Sequence, residues 1–169
     1  MGRELRMVPA DWEHPTNENG HYIPLLDGDF RSRDAEWLEG WQKWQEGLCE
    51  NYGEGDKWKP IPPEYNHMRY TDYAGERPSP DDYMPDWPTD RRTHFMMYED
   101  TSEGTPISPA FATGVELARW LADTGASAFA GDGATYEQWL ATIKRGWAMS
   151  AVITNGVLKS GVAFEGQSQ

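Results

Sequence analysis

The amino-acid sequence predicts an α+β fold, a small antiparallel sheet packed on about three helices and accompanied by long ordered irregular segments. Three observations predict it. Thr113 and Thr135 each stand three residues ahead of a Glu or Gln, in front of an apolar run with helical period. Asn155-Gly156 separates two stretches that alternate apolar and polar residues. Trp37, Trp41, Trp44 and Leu48 recur at helical spacing. At 169 residues the chain has the length of a single domain, and a fold of that size buries about two-thirds of its unfolded surface. Only 38% of the residues are apolar, yet nine are Trp. Core volume is therefore expected from a few large rings, each burying roughly 150–250 Å².

Taken in order, residues 1–30 alternate turn formers (Pro9, Pro15, Asn17, Gly20, Pro24) with single aromatics and read as an ordered irregular arm. Residues 31–48 read as a tryptophan-rich segment whose helix spans 33–46, with Ser32 as N-cap, Asp34 and Glu36 in the first turn and Gly47 near its end. Its Trp stripe is expected to face the core. Residues 49–93 hold seven prolines and seven Tyr or Trp residues, too much proline for regular structure and too much aromatic content for a free linker. They read as a long acidic loop clamped to the domain, with one helical turn opened by Ser79-Pro80-Asp81-Asp82. Residues 94–162 form the scaffold. His94–Glu99 is a strand, helices follow over 114–124 and 136–145, and residues 149–162 make a hairpin in which Ile153 pairs with Leu158. An isolated two-stranded ribbon is marginal, so strand 94–99 is expected to join that hairpin as a third strand. The tail, 163–169, reads as frayed.

Charge and cysteine content exclude several classes of function. The net charge is −13, and it is unevenly placed: residues 1–104 carry 23 acidic and 11 basic side chains, residues 105–169 carry 5 and 4. A field of that sign repels phosphate backbones and anionic membranes, which argues against direct nucleic-acid binding and leaves room for a basic protein partner, against the plainer reading of an acidic surface that only keeps the protein in solution. With one cysteine, Cys49, no disulfide closes within the chain, and a reducing compartment is expected. No signal peptide or membrane-spanning run is evident, and Arg6 stands where a myristoylation signal needs Ser or Thr. A cytoplasmic location follows as an expectation.

Few residues stand in a pattern that chemistry requires. The four histidines, His14, His21, His67 and His94, lack the spacing of a zinc helix. His14 and His21, seven apart beside Glu13, are the nearest approach to a metal site, against the plainer reading of a solvent-exposed or backbone-bonded histidine. Gly131-Asp132-Gly133 is too short to be a phosphate loop. Asp72, Asp81, Asp82, Asp86 and Asp90 are abundant carboxylates without evident pairing, and Cys49 lies between Glu46 and Glu50, which disfavour a thiolate. No catalytic residue, metal ligand or cofactor is assigned. The remaining candidate is a binding surface of acids interleaved with rings: Tyr65, Tyr70, Asp72, Tyr73, Asp81, Asp82, Tyr83, Asp86 and Trp87. Aromatic side chains supply interface energy and carboxylates steer a basic partner. The plainer alternative is that these rings fasten the loop to its own domain.

The stretches VPADWEHP (8–15), YMPDWP (83–88), TSEGTPISP (101–109), ARWLADTGASAF (118–129), ATYEQWL (134–140) and SAVITNGVLKSGV (150–162) resemble small uncharacterised proteins of tailed bacteriophages and prophages. The resemblance covers most of the chain and brings no catalytic residues. It implies an accessory protein made in the bacterial host cytoplasm that binds and inhibits or modulates a host protein, as anti-CRISPR proteins and nucleic-acid mimics do. A small metal- or nucleotide-dependent enzyme or ligand-binding protein, and a phage structural component, remain the alternatives.

Overall fold

The computed structural model describes residues 2–100, 104–149, 151–154 and 157–163, with 151–154 and 157–159 described by their backbone alone. Its elements run β1 (Arg3–Val8), α1 (Phe30–Gln45), β2 (Leu48–Glu50), β3 (Trp58–Pro60), α2 (Tyr70–Ala74), β4 (His94–Glu99), α3 (Gly114–Asp123), α4 (Tyr136–Arg145), β5 (Trp147–Ala148), β6 (Ala151–Thr154) and β7 (Val157–Ser160). The predicted α+β class is what these elements form. They gather into two compact units, one of residues 28–83 and one of the segments on either side of it.

In the flanking unit the sheet order is β4-β1-β5. Strand β1 is antiparallel to β4, with Leu5 opposite Met97 and Arg6 opposite Met96. This corrects two expectations: the partner of strand 94–99 is the N-terminal segment rather than the C-terminal hairpin, and residues 1–30 are not irregular throughout. The hairpin β6–β7 is a sheet of its own, in the predicted register of Ile153 opposite Leu158. Its Asn155-Gly156 turn, and the tail from 164, lie outside the described residues. Strand β1 was hidden because Arg3, Glu4 and Arg6 interrupt its apolar positions, although an arginine can be buried where its donors are used. Arg3 sends Nε to the Ser127 carbonyl at 2.9 Å and lies 3.3 Å from Glu99. Arg6 donates to the Leu25 carbonyl at 2.8 Å and to Glu4 at 3.1 Å, with its guanidinium 4.4 Å from the centre of the Tyr98 ring.

Alternation along β4 then builds two cores. Met97, with Leu5 and Phe95 around it, packs against Leu117, Leu121, Trp139 and Ile143 of α3 and α4. Met96 and Tyr98 turn to the other side, where Val8, Leu25 and Met84 close over them with Trp12 and Trp87. The arm thus serves as the second cover of the sheet. The helices stop and start where their caps dictate. The Thr113 hydroxyl accepts from the Glu116 amide at 3.2 Å while Glu116 accepts from the Thr113 amide at 3.0 Å. Thr135 and Gln138 repeat the exchange at 3.3 and 3.0 Å. Gly146, at φ +86°, ends α4 in the left-handed conformation that favours glycine.

In the unit of residues 28–83, α1 begins three residues before the predicted start. Asp29, not Ser32, is the N-cap: it accepts from the Arg31 amide at 2.9 Å, and the Ser32 hydroxyl in turn donates to Asp29 at 2.6 Å. The segment read as one long loop holds more regular structure than its prolines suggested. Strands β2 and β3 pair antiparallel, with Pro60 tolerated at the end of a two-stranded ribbon. Helix α2 is a single short turn. The predicted turn at Pro80–Asp82 is present, with Ser79 accepting from the Asp81 amide at 3.3 Å.

Candidate functional site

The unit of residues 28–83 is organised around rings rather than aliphatics. Trp44, on the face of α1 that meets α2, is buried, with Tyr73 at 4.7 Å and Tyr70 at 5.8 Å between ring centres. Trp37, two turns earlier, meets Tyr70 at 5.1 Å and donates its indole N–H to the Gly75 carbonyl at 3.1 Å. Such ring pairs add about 0.5–1.5 kcal/mol each beyond the area they bury. Arg77 grips Asp34 of α1 with two hydrogen bonds of 2.6 and 2.8 Å, and this holds the Asp34 carboxyl below its ordinary range. Together these contacts fix the chain after α2 against the first half of α1.

Between α1, the β2–β3 hairpin and α2 lies a cleft of about 1030 Å³. Its walls carry six rings, Trp37, Tyr52, Trp58, Tyr70, Tyr73 and Tyr83, and its charged groups are Arg33, Glu36, Glu50, Lys57 and Glu76. The hairpin loop is shaped by Asn51, whose side-chain amide donates to the carbonyls of Glu54 at 3.3 Å and Asp56 at 3.1 Å. That loop leaves Tyr52 83% exposed at the cleft. The hydroxyls of Tyr70 and Tyr73 are held in their protonated form. Burial pushes Tyr73 up to about 12, helped by the neighbouring Cys49 thiol, and burial followed by the Glu50 charge raises Tyr70. Groups of this kind donate and accept hydrogen bonds and stack; they do not act as bases near neutral pH. Cys49 is buried against the Tyr73 hydroxyl and the Pro60 carbonyl, neither of which activates a thiol.

Of the nine residues predicted to form a binding surface, Tyr70, Tyr73 and Tyr83 line this cleft. Tyr65 stands against Tyr73 at 5.7 Å between ring centres. Asp72 is exposed but held by Arg69 at 3.0 Å, while Asp81 and Asp82 are exposed on their turn. Asp86 and Trp87 belong to the other unit. There Asp86 pairs with Arg92 at 3.0 Å and Trp87 packs on Trp12 at 4.7 Å, so this ring, like Tyr70 and Tyr73 against α1, fastens its segment to its own unit. Trp37, Tyr52, Trp58 and Glu50 were not assigned to the binding surface from the sequence. The signal for the hairpin that carries the last three was the turn-forming cluster Asn51, Gly53 and Gly55 between Leu48-Cys49 and Trp58.

Electrostatically the unit is acidic, with 13 carboxylates against 7 basic side chains. Five of those cations are committed to carboxylates of the same unit: Arg33 to Glu36, Lys43 to Glu46, Lys57 to Glu39, Arg69 to Asp72 and Arg77 to Asp34. Glu50, Glu64, Glu76, Asp81 and Asp82 lie outside these pairs and set the sign of the surface. Among the described residues no group of three or more His, Cys, Asp or Glu side chains is arranged to hold a metal ion. His14 is engaged elsewhere, its Nε2 donating to the Ile23 carbonyl at 2.7 Å. Among the described residues no helix is long and apolar enough to cross a membrane. Comparison with protein-family models, with curated proteins and with solved structures finds no match.

Proposed function

We propose that this chain is an accessory protein of a tailed bacteriophage that acts in the host cytoplasm by binding a basic host protein and inhibiting or modulating it. The observation that carries the reading is the cleft of residues 28–83, lined by six rings and edged by Glu50 and Glu76, which form no ion pair among the described residues. Rings provide the contact area, and the acidic surround accelerates encounter with a positive partner and rejects negative ones. The phage setting is supported by the sequence resemblance and the partner's sign by the charge of residues 1–104. An anti-defence role, including occupation of a nucleic-acid site, belongs to the same reading, because such sites are basic.

Affinity purification of the tagged full chain from host lysate, across a salt series, tests it. The expected result is a partner with a basic face, retained at about 0.05 M salt and released toward about 0.5 M, where screening shortens the reach of surface charge to a few ångströms. Retention that ignores salt, or the same partner held equally by a Tyr52→Ala chain, contradicts the reading.

A further inference from the structure

We infer that the cleft of residues 28–83 receives a guanidinium group, the side chain of one arginine of the partner, with Glu50 as its hydrogen-bonding anion and Tyr52, Tyr70 and Tyr73 as the rings beside it. This rests on the binding reading above and specifies its chemistry. Glu50 ends strand β2 and is half-buried among the cleft residues. The Tyr52 hydroxyl is bonded to it, and its charge also reaches Tyr70 and Lys57, which line the same cleft. Lys57 does not neutralise it. That ammonium is bonded to Glu39 at 2.7 Å and lies 5.0 Å from the centre of the Trp58 ring. Arg33, the other cation on the cleft, pairs with Glu36 at 3.3 Å. Among the described residues, no side chain of this protein forms an ion pair with Glu50.

The same chain shows what such a pairing looks like when complete. In the other unit Arg6 lies 4.4 Å over the Tyr98 ring while Glu4 accepts from it at 3.1 Å. A ring face and a carboxylate edge suit a guanidinium, which stacks through its plane and donates within it at once; an ammonium offers no plane to stack. Anions are disfavoured by Glu50 and Glu76, whose like charge repels them in a partly desolvated cleft. A neutral ligand would stack on the rings but forgo the charge-assisted bond to Glu50.

The test titrates the isotopically labelled full chain with the peptide acetyl-Gly-Arg-Gly-amide, following the indole N–H signals of Trp37 and Trp58, with that of the fully buried Trp139 as control. The expected result is saturable movement of the first two signals only. The citrulline peptide, of the same shape without charge, should bind at least about tenfold more weakly, the size of one charge-assisted hydrogen bond, and the lysine peptide should fall between them. Glu50→Gln and Tyr52→Ala should each weaken the arginine peptide about threefold to tenfold. The exposure of Tyr52 keeps its variant folded. Equal binding of the arginine and citrulline peptides, or no saturable movement, overturns the inference. If the host partner is still captured with full salt sensitivity by Glu50→Gln chain, the arginine fails and the broader surface reading survives. If the arginine peptide binds as described but no host partner is captured, the broader reading fails and the cleft's preference survives.

Discussion

Tyr70 can stand between Trp37 and Trp44 because residue 40 of α1 has no side chain: a Cβ there would overlap the Tyr70 hydroxyl. Two effects of Gly40→Ala therefore oppose each other. Alanine favours the helix by about 1 kcal/mol over glycine, while overpacking costs about 1–3 kcal/mol. The clash should win, giving a net loss of about 1 kcal/mol in urea unfolding, and Tyr70→Phe in the same chain should recover part of it by removing the overlapping oxygen. A stabilised Gly40→Ala chain would show that Tyr70 does not occupy this seat. At His14 the observable is pH. Its Nε2 donates to a carbonyl and its Nδ1 lies 3.2 Å from the Tyr98 hydroxyl. Burial lowers its pKa in the folded protein. The unfolded chain then binds the proton first, at about pH 6.5. Stability is thus intact above that pH and lost as the pH falls through it toward the folded value. Denaturation at pH 7.5 and 5.5 should show a smaller difference for His14→Gln than for the native sequence.

Among the elements, those specified by neighbours a few residues apart were legible in the sequence. Helices α3 and α4 were, because their capping boxes depend on residues three positions apart, and Thr113→Ala and Thr135→Ala should each lower unfolding free energy by about 1 kcal/mol. Strand β4 and the register of the C-terminal hairpin were legible for the same reason. Helix α1 was legible in its period but not at its start, since Asp29 and Ser32 are both good caps and in fact bond to each other. Its Trp stripe was read as wholly core, yet only Trp44 is buried while Trp41 is 43% exposed. A short hairpin and a five-residue helix offer too little surface to cover three indoles. Strand β1 was illegible because its pairing residues lie some ninety positions away and its arginines are satisfied by carbonyls that no local pattern reveals. The candidate site was legible in the same proportion. Tyr70, Tyr73 and Tyr83 came from composition, whereas Trp37, Tyr52, Trp58 and Glu50 belong to the cleft only because α1 and the hairpin face each other.

For the molecule as a whole, the division of labour follows charge and content. The helices α3 and α4 carry a nearly neutral stretch and a dense apolar core. Residues 28–83 carry rings, acids and a cleft. If the second is where partners bind, position should matter more than exposure. The measurement that tests this most directly places a photoreactive phenylalanine at one of two exposed positions, 52 on the cleft or 115 on α3, and irradiates each full chain in host lysate. The account predicts a discrete protein adduct from position 52 that fades as salt rises, and none from position 115. Adducts of equal yield from both positions, or an adduct at 52 that salt leaves unchanged, would contradict it.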